Sequence, residues 1–178
     1  MYENICRPKA VGRCREENMK VYIKNKLLSL SGKSDVLDIS GNPIYEVKGR
    51  VISPTKVKHV CTLDGEKLYK VRNRFFNFFI HSSFVYGADK KRILKVKDTL
   101  FSPDFKIQSS TGDEYSILGK WFSMQAQIIK NGQVVGTIRR QFTVVADAFE
   151  LECSEADMPF MIALVIAVDN ICDNRSKS

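Results

Sequence analysis

The longest uninterrupted apolar stretch of the chain covers residues 158–168, and Asp157 and Asp169 bracket it. A helix that is apolar on every side lies either inside a core or across a membrane. Such a stretch spans about 17 Å, roughly half the hydrocarbon thickness of a bilayer. The pattern therefore predicts a buried helix over about residues 157–173, with Asp157 as N-cap and Pro159 in the first turn. The side chains expected to fill the core are Phe160, Ile162, Leu164, Val165, Ile166 and Val168.

Upstream of this helix, a short pattern recurs six times at intervals of 20 to 25 residues. Each copy is a basic or polar residue, two mostly bulky apolar residues, and a small hydroxyl or amide residue. Glycine-containing turns lie midway through five intervals, and Asp64-Gly65 and Asn131-Gly132 are typical of tight hairpins. Several intervening segments, such as residues 93–97, alternate apolar and polar positions, which favours strands with one buried face. The pattern predicts twelve strands, from residues 19–25 to residues 148–153.

The predicted strands and helix can satisfy each other's need for burial. Twelve half-buried antiparallel strands present one large apolar face, and a helix that is apolar all round needs cover in every direction. Closing the sheet into a barrel around the helix meets both needs and removes exposed edges. We therefore predict a mainly β fold, a twelve-stranded closed antiparallel barrel around a central C-terminal helix. It forms one domain over residues 19–178, preceded by a flexible leader over residues 1–18.

The chain contains neither a membrane-length apolar segment nor an apolar signal block at its start, which predicts a cytoplasmic protein with no transmembrane segment. Its five cysteines are odd in number and include no CxxC pair. This spacing favours reduced thiols over disulfides or a zinc site. Acylation of Cys6 or Cys14, which lie among arginines, stays open at this point.

Positive charge is concentrated in the predicted barrel. The net charge is +8, and residues 19–151 contain 22 Lys and Arg against 12 Asp and Glu, whereas residues 152–178 are net acidic. A cationic surface favours anionic partners such as phosphoinositide headgroups, acidic membranes or nucleic acid. A charge that serves only solubility is the alternative.

Basic residues gather beside predicted turns and corners of the barrel. Lys90, Lys91 and Arg92 follow the Gly-containing turn at residue 87, and Lys56 and Lys58 follow the repeat copy that begins at residue 50. If turns and corners lie at the barrel ends, these five side chains can converge on one anionic lipid headgroup, at about 1 kcal/mol per basic residue. Solvated loop charge is the alternative interpretation.

Other segments carry weaker signals for nucleotide, nucleic-acid or catalytic chemistry. Residues 72–79 interleave arginines and phenylalanines, as platforms for single-stranded nucleic acid or a bilayer interface do, but their position at a repeat corner favours core packing. Residues 31–34 resemble the end of a phosphate-binding loop, yet Leu27 replaces its first glycine. His59 and His81 have no catalytic partners in sequence. We expect no enzyme, no cofactor, no metal and no strong nucleic-acid signal.

Five blocks of the chain have a distinctive order and spacing: residues 22–30, 45–49, 119–121, 149–151 and 163–169. In that order and spacing, and over about residues 19–173, they resemble the LURP-one-related family. The resemblance implies a tubby C-terminal-like fold, in which a hydrophobic C-terminal helix threads a twelve-stranded barrel.

The same superfamily includes phospholipid scramblases and tubby proteins, which are thought of as membrane-tethered, phosphoinositide-binding regulators. The chain lacks the cysteine-rich run, the proline-rich leader and the acidic calcium segment of scramblases, and no tubby headgroup motif can be matched. The resemblance implies a non-enzymatic module that binds anionic phospholipid or phosphoinositide, cytoplasmic and peripheral at a membrane. A regulatory protein-interaction scaffold without lipid binding is the alternative.

Overall fold

A computed structural model places twelve strands and one helix in the part of the chain that it describes. The described residues are 17–24, 32–50, 54–75, 81–99, 102–120, 125–142 and 147–175. The elements are β1 (Asn18–Lys24), β2 (Lys33–Leu37), β3 (Pro43–Gly49), β4 (Lys58–Cys61), β5 (Lys67–Asn73), β6 (Ser82–Tyr86), β7 (Arg92–Thr99), β8 (Ser102–Ser109), β9 (Glu114–Lys120), β10 (Gln125–Lys130), β11 (Gln133–Phe142), β12 (Asp147–Ser154) and α1 (Met158–Arg175).

The strands form a closed antiparallel barrel in which each strand pairs with its neighbours in the chain. Closure comes from β1 and β12, which pair from Asn18 opposite Ser154 to Lys24 opposite Ala148. An up-and-down order of this kind leaves no strand at a sheet edge. The predicted fold class and strand number are confirmed.

Tight turns join the strands at the end of the barrel where α1 begins, which we call the hairpin end. Asn131 and Gly132 have φ of 50° and 79°, the pair of positive values that a type I′ hairpin turn requires. The opposite end, where α1 finishes, is the corner end. The six repeat copies that suggested the architecture belong to this end, and most of their residues lie outside the described ranges.

The helix fills the barrel as the sequence predicted. Every residue from 162 to 168 is fully buried, and α1 packs mainly against β4–β7 and β12. Phe160 is half-buried, and its ring lies 5.9 Å from that of Tyr69 on β5 and 5.8 Å from that of Tyr115 on β9. The helix thus contacts opposite walls of the barrel at the hairpin end. The apolar part of α1 is too short to cross a membrane. The described residues include no other helix that is long and apolar enough to do so.

Asp157 begins the helix in the predicted N-cap position. Its carbonyl oxygen accepts the first helical hydrogen bond from Met161 N at 2.9 Å. Its carboxylate accepts a hydrogen bond from Ser154 Oγ at 3.0 Å, which ties the start of α1 to the last residue of β12. The direct strand-to-helix link takes the place of a sixth hairpin.

The described cysteines are reduced and enclosed. Cys61, Cys153 and Cys172 are free and buried, and burial raises the pKa of the Cys153 thiol to about 12. Cys6 and Cys14 lie outside the described residues, as does most of the predicted leader, because description begins at residue 17.

Candidate functional site

One side of the barrel carries mostly basic side chains, with the exposed Asp104 on β8 at its margin. In β5–β7 the alternating positions Val71, Val85, Leu94 and Val96 are fully buried, and the residues between them face outward. The outward positions of these three strands include no acidic residue, since Asp98 lies on the buried side of β7. We call the following surface on β5–β8 the cationic face: Lys70, Arg72, Phe84, Tyr86, Arg92, Lys95, Lys97 and Lys106.

Strand pairing places aromatic rings between the basic groups. Arg72 lies opposite Phe84, which in turn lies opposite Lys95. The Arg72 guanidinium carbon is 6.0 Å from the centre of the Phe84 ring and 5.4 Å from that of Tyr86. Its Nε donates a hydrogen bond to the Tyr86 hydroxyl at 3.2 Å. The rings hold the guanidinium in place, while its remaining donors stay available to an anion.

Like charges also face each other directly on this surface. Lys97 on β7 lies opposite Lys106 on β8, an arrangement that is destabilising unless an anion relieves it. The pKa of His59 on the adjoining β4 is lowered, first by burial and then by the charges of Lys67 and Lys70. The lowered pKa is consistent with a positive field over this side of the barrel.

Basic residues on the opposite side of the barrel contact carboxylates instead. Lys20 Nζ lies 3.2 Å from Glu150 Oε1, and Lys48 Nζ lies 2.8 Å from Glu46 Oε2. These contacts raise the pKa of both lysines, chiefly through hydrogen bonds to the carboxylates. Charge is therefore distributed unevenly around the barrel.

Three of the five predicted headgroup residues border the cationic face. Lys90 and Lys91 are exposed in the turn between β6 and β7, where Lys91 Nζ lies 3.7 Å from Asp89 Oδ2. Arg92 begins β7, and its guanidinium carbon lies 5.9 Å from the centre of the Phe84 ring. These side chains lie at the hairpin end of the face.

The other two predicted residues lie at the corner end. Lys56 Nζ is 3.6 Å from Asp173 Oδ2 near the end of α1. Lys58 begins β4 and points inward like Val60, so its side chain is only 5% exposed. The structure therefore does not bring this pair together with residues 90–92, and Lys58 cannot reach a ligand outside the barrel. The predicted fold could already separate the two groups, because corners and hairpin turns alternate along an antiparallel barrel and therefore lie at opposite ends.

Lys58 belongs to a buried polar cluster at the corner end of the core. Asn73, Asp169 and Asn170 are also more than nine-tenths buried. In the described part of the chain, no hydrogen-bond partner is found for Lys58 Nζ, Asn73 Oδ1, Asp169 Oδ2 or either amide atom of Asn170. Burial lowers the pKa of Lys58 to about 8 and raises that of Asp169 to about 7, while their mutual attraction opposes both shifts.

Most of the cationic face was missed by sequence reasoning. The sequence did contain a signal for this face, because β5 and β7 each alternate basic and apolar residues. The register that aligns these two strands across β6, however, is not visible in a single sequence. The segment 72–79 was expected to pack in the core, and this is wrong for Phe75, which is 61% exposed just beyond the end of β5. Residues 76–79 lie outside the described ranges.

In the described part of the chain, no metal-binding cluster surrounds either histidine, and His81 pairs with a carboxylate. Buried His81 Nδ1 lies 3.2 Å from Asp98 Oδ2, a pair that joins β7 to the residue just before β6. Within the described ranges, no three histidine, cysteine, aspartate or glutamate side chains lie close enough to hold a metal ion.

Comparison with known proteins gives one family and one similar solved structure. No curated protein matches the chain significantly. An X-ray structure of a protein from Arabidopsis thaliana is similar, with a TM-score of 0.64 and 17% sequence identity over 88% of this chain and 92% of that one. At this identity the likeness supports the fold alone. The sequence model of the family described as LURP-one-related matches residues 19–169 of the chain. The chain therefore belongs to the LURP-one-related family.

Proposed function

We propose that the protein is a non-enzymatic module that binds anionic phospholipid headgroups, phosphoinositides in particular, at a membrane surface. The observation that carries the proposal is the cationic face, where basic side chains on β5, β7 and β8 have the aromatic rings of β6 between them. The outward positions of β5–β7 hold no acidic residue. Lys90 and Lys91 extend this surface at the hairpin end, and Arg92 belongs to it.

The energetics suit a reversible peripheral contact. Each basic residue near an anionic membrane contributes about 1 kcal/mol, so the six of the cationic face together supply about 6 kcal/mol. That corresponds to a dissociation constant of about tens of micromolar. Phosphoinositides carry several charges on one headgroup, and one such group relieves the repulsion between Lys97 and Lys106 better than a singly charged lipid does.

Sedimentation with lipid vesicles tests the proposal. The full chain is mixed with phosphatidylcholine vesicles that contain or lack phosphatidylinositol 4,5-bisphosphate, at low and at physiological salt. We expect sedimentation only with the phosphoinositide and a weaker signal at higher salt, because exposed charges are screened.

A matched pair of double variants locates the contact. Lys95→Gln with Lys97→Gln removes two charges from the cationic face, and Lys130→Gln with Arg139→Gln removes two from β10 and β11. The first pair is expected to weaken binding about 30-fold, the equivalent of about 2 kcal/mol, and the second to leave it nearly unchanged. Equal loss in both double variants would contradict a localised site.

Two further outcomes would contradict the proposal itself. One is the absence of sedimentation with phosphoinositide vesicles even at low salt. The other is salt-dependent retention on DNA combined with indifference to lipid, which would favour nucleic acid as the anionic partner.

A further inference from the structure

His59 on β4 belongs to a row of outward side chains that crosses the strands. Pairing places it opposite Lys48 on β3 and opposite Lys70 on β5. The row continues into the cationic face, where Lys70 lies opposite Tyr86 and Tyr86 lies opposite Arg92. Side chains that lie directly opposite each other on one face of an antiparallel sheet are close enough to interact. His59 is therefore a direct neighbour of the cationic face.

The imidazole of His59 faces outward and is partly covered. The residues before and after it, Lys58 and Val60, are buried on the inner side of β4, whereas His59 is half-buried. A hydrogen bond to the backbone of Lys48 favours the protonated form of the ring. An imidazole donates hydrogen bonds from both nitrogens only when it is protonated. Protonation therefore gives the ring a second donor, in addition to the one used on β3, for an anion on the outer surface.

The charges that act on His59 are positive. Burial lowers its pKa most, and the charges of Lys67 and Lys70 on β5 and of Arg50 after β3 lower it further. The strand β5 contains no acidic residue. At pH 7 the ring is therefore mostly neutral in the free protein.

Glu46, the acidic residue of β3, does not offset this field. It lies opposite Cys61, two residues further along β4 than His59. Its carboxylate contacts the ammonium groups of both Lys33 and Lys48, and these hydrogen bonds lower its pKa. The two lysines compensate its charge, so the field at the imidazole stays positive.

An anion on the cationic face reverses the field at His59. A phosphate group that contacts Lys70 is held one strand away from the imidazole, and an opposite charge that close favours the protonated ring. Ligand and proton then each raise the affinity for the other by the same factor. Binding of an anionic headgroup is thereby coupled to uptake of a proton.

We propose that His59 is a further headgroup-binding residue, which takes up one proton when a phosphoinositide binds beside Lys70, so that binding strengthens as the pH falls. This inference rests on the proposed function, because it requires an anionic headgroup on the cationic face. The gain is absent above the pKa of His59 in the bound protein and complete below its lower pKa in the free protein. Its full size is about fivefold in affinity, the effect of one more basic group near an anionic membrane.

Sedimentation with vesicles at two pH values tests the coupling. The vesicles contain phosphatidylcholine and phosphatidylinositol 4,5-bisphosphate, at low salt and at about pH 7.5 or about pH 5.5. Phosphate monoesters titrate near about pH 6, so each affinity is compared with that of His59→Gln, for which the headgroup titrates in the same way. The ratio of the two affinities should rise on acidification, by up to about fivefold, in favour of the unaltered protein. A ratio that does not change with pH would overturn the proposal.

Nuclear magnetic resonance of the imidazole rings tests proton uptake directly. The chain has two histidines, so the ring signals missing from His59→Gln belong to His59. The probe is inositol 1,4,5-trisphosphate, the soluble headgroup of the same lipid. It should raise the pKa of His59 and leave the signals of His81, which is buried beside Asp98, nearly unchanged.

A matched pair of variants tests the source of the field in the free protein. Lys70→Gln removes a charge directly opposite His59 and should raise the pKa of the imidazole, whereas Lys130→Gln on β10 should leave it unchanged. Equal effects of the two variants would show that His59 does not sense the cationic face, and the proposal would then be wrong.

The outcomes separate this inference from the proposed function. Headgroup binding without a change in the pKa of His59 would overturn the coupling and leave lipid binding intact. Absence of binding to the vesicles at both pH values would overturn both.

Discussion

At the residue scale, strain in the barrel concentrates at backbone positions with positive φ. Lys90 has a φ of 63° in the turn between β6 and β7, a conformation that disfavours every residue with a Cβ. We expect Lys90→Gly to raise the free energy of unfolding by about 0.5 kcal/mol in urea denaturation, since the strain relieved exceeds the entropy lost. Lys91→Gly, at a residue without positive φ, is the control and should lower stability. A loss in both variants would contradict this account.

Gly119 shows the opposite case, in which a Cβ cannot be accommodated. Gly119→Ala combines a φ of +109° with a contact of 2.7 Å to the Gln125 carbonyl oxygen. We expect a loss of about 2 kcal/mol or more, measured by denaturant unfolding. Gly112→Ala is the matched control, because its φ is +83° but no atom lies within 4 Å of the added Cβ. Its loss should be about 1 kcal/mol, and equal losses would refute the role of the close contact.

The buried pair at the corner end makes stability depend on pH. The pKa of Asp169 rises on folding from 3.8 to about 7, so between these values the folded state holds more protons and stability falls as pH rises. The pKa of Lys58 falls from 10.5 to about 8, so between these values the unfolded state holds more protons and stability rises with pH. The contribution of the pair to stability is therefore lowest between about pH 7 and pH 8.

Unfolding measurements on Asp169→Asn test this dependence. The variant keeps the shape of the side chain and removes its titration, so the decline in stability between pH 4.5 and pH 7 should become shallower than in the unaltered protein. The charged neighbours Asp173, Lys56 and Arg140 remain in the variant. Their own contributions to the pH dependence of stability are therefore the same in both proteins to first order. Identical pH profiles would show that Asp169 does not carry the effect.

At the element scale, substitutions in α1 test how far the buried helix stabilises the barrel. Leu164 is fully buried at the centre of α1, and an aspartate there places a carboxylate in the core without a partner. We expect Leu164→Asp to abolish the cooperative unfolding transition, and Leu164→Ala to cost about 2–5 kcal/mol. Leu63→Asp is the control, because Leu63 is 48% exposed in the turn between β4 and β5. A folded Leu164→Asp variant would contradict a helix enclosed by strands.

The elements could be predicted from sequence because each leaves a local pattern. The helix follows from one apolar run, and the hairpins follow from glycine dipeptides such as Asn131-Gly132, where the backbone must adopt positive φ. The barrel then follows from the shared need of strands and helix for burial. The short pairing of β8 with β9 could not be predicted, because the register of two strands and the point where their pairing ends are not visible in a single sequence.

At the scale of the whole molecule, the site depends on register rather than on local pattern. The net charge indicated an anionic partner, and Arg92 was identified because it follows a turn. Lys95 and Lys97 were not identified, because their outward direction and their alignment with Arg72 and Lys106 depend on strand pairing. Lys58 illustrates the converse, since a basic residue in an alternating strand can equally face the core.

The uneven distribution of charge predicts how the whole molecule meets an anionic membrane. If β5–β8 face the lipid, then Gln108 on β8, which lies opposite Lys95, is close to the headgroups, and Gln125 lies two strands further around the barrel, on β10. Both glutamines are exposed, so Gln108→Cys and Gln125→Cys provide matched labelling sites.

The comparison uses an environment-sensitive fluorophore at each site, in a chain whose Cys6 and Cys14 are replaced by serine; Cys61, Cys153 and Cys172 are buried. Phosphoinositide vesicles should shift the emission of the label at residue 108, because the membrane interface around it is less polar than water. The emission of the label at residue 125 should stay nearly unchanged. Raising the salt concentration should reverse the shift. Equal shifts at both sites would mean that the protein binds without a fixed orientation, and the cationic face would then not be the contact.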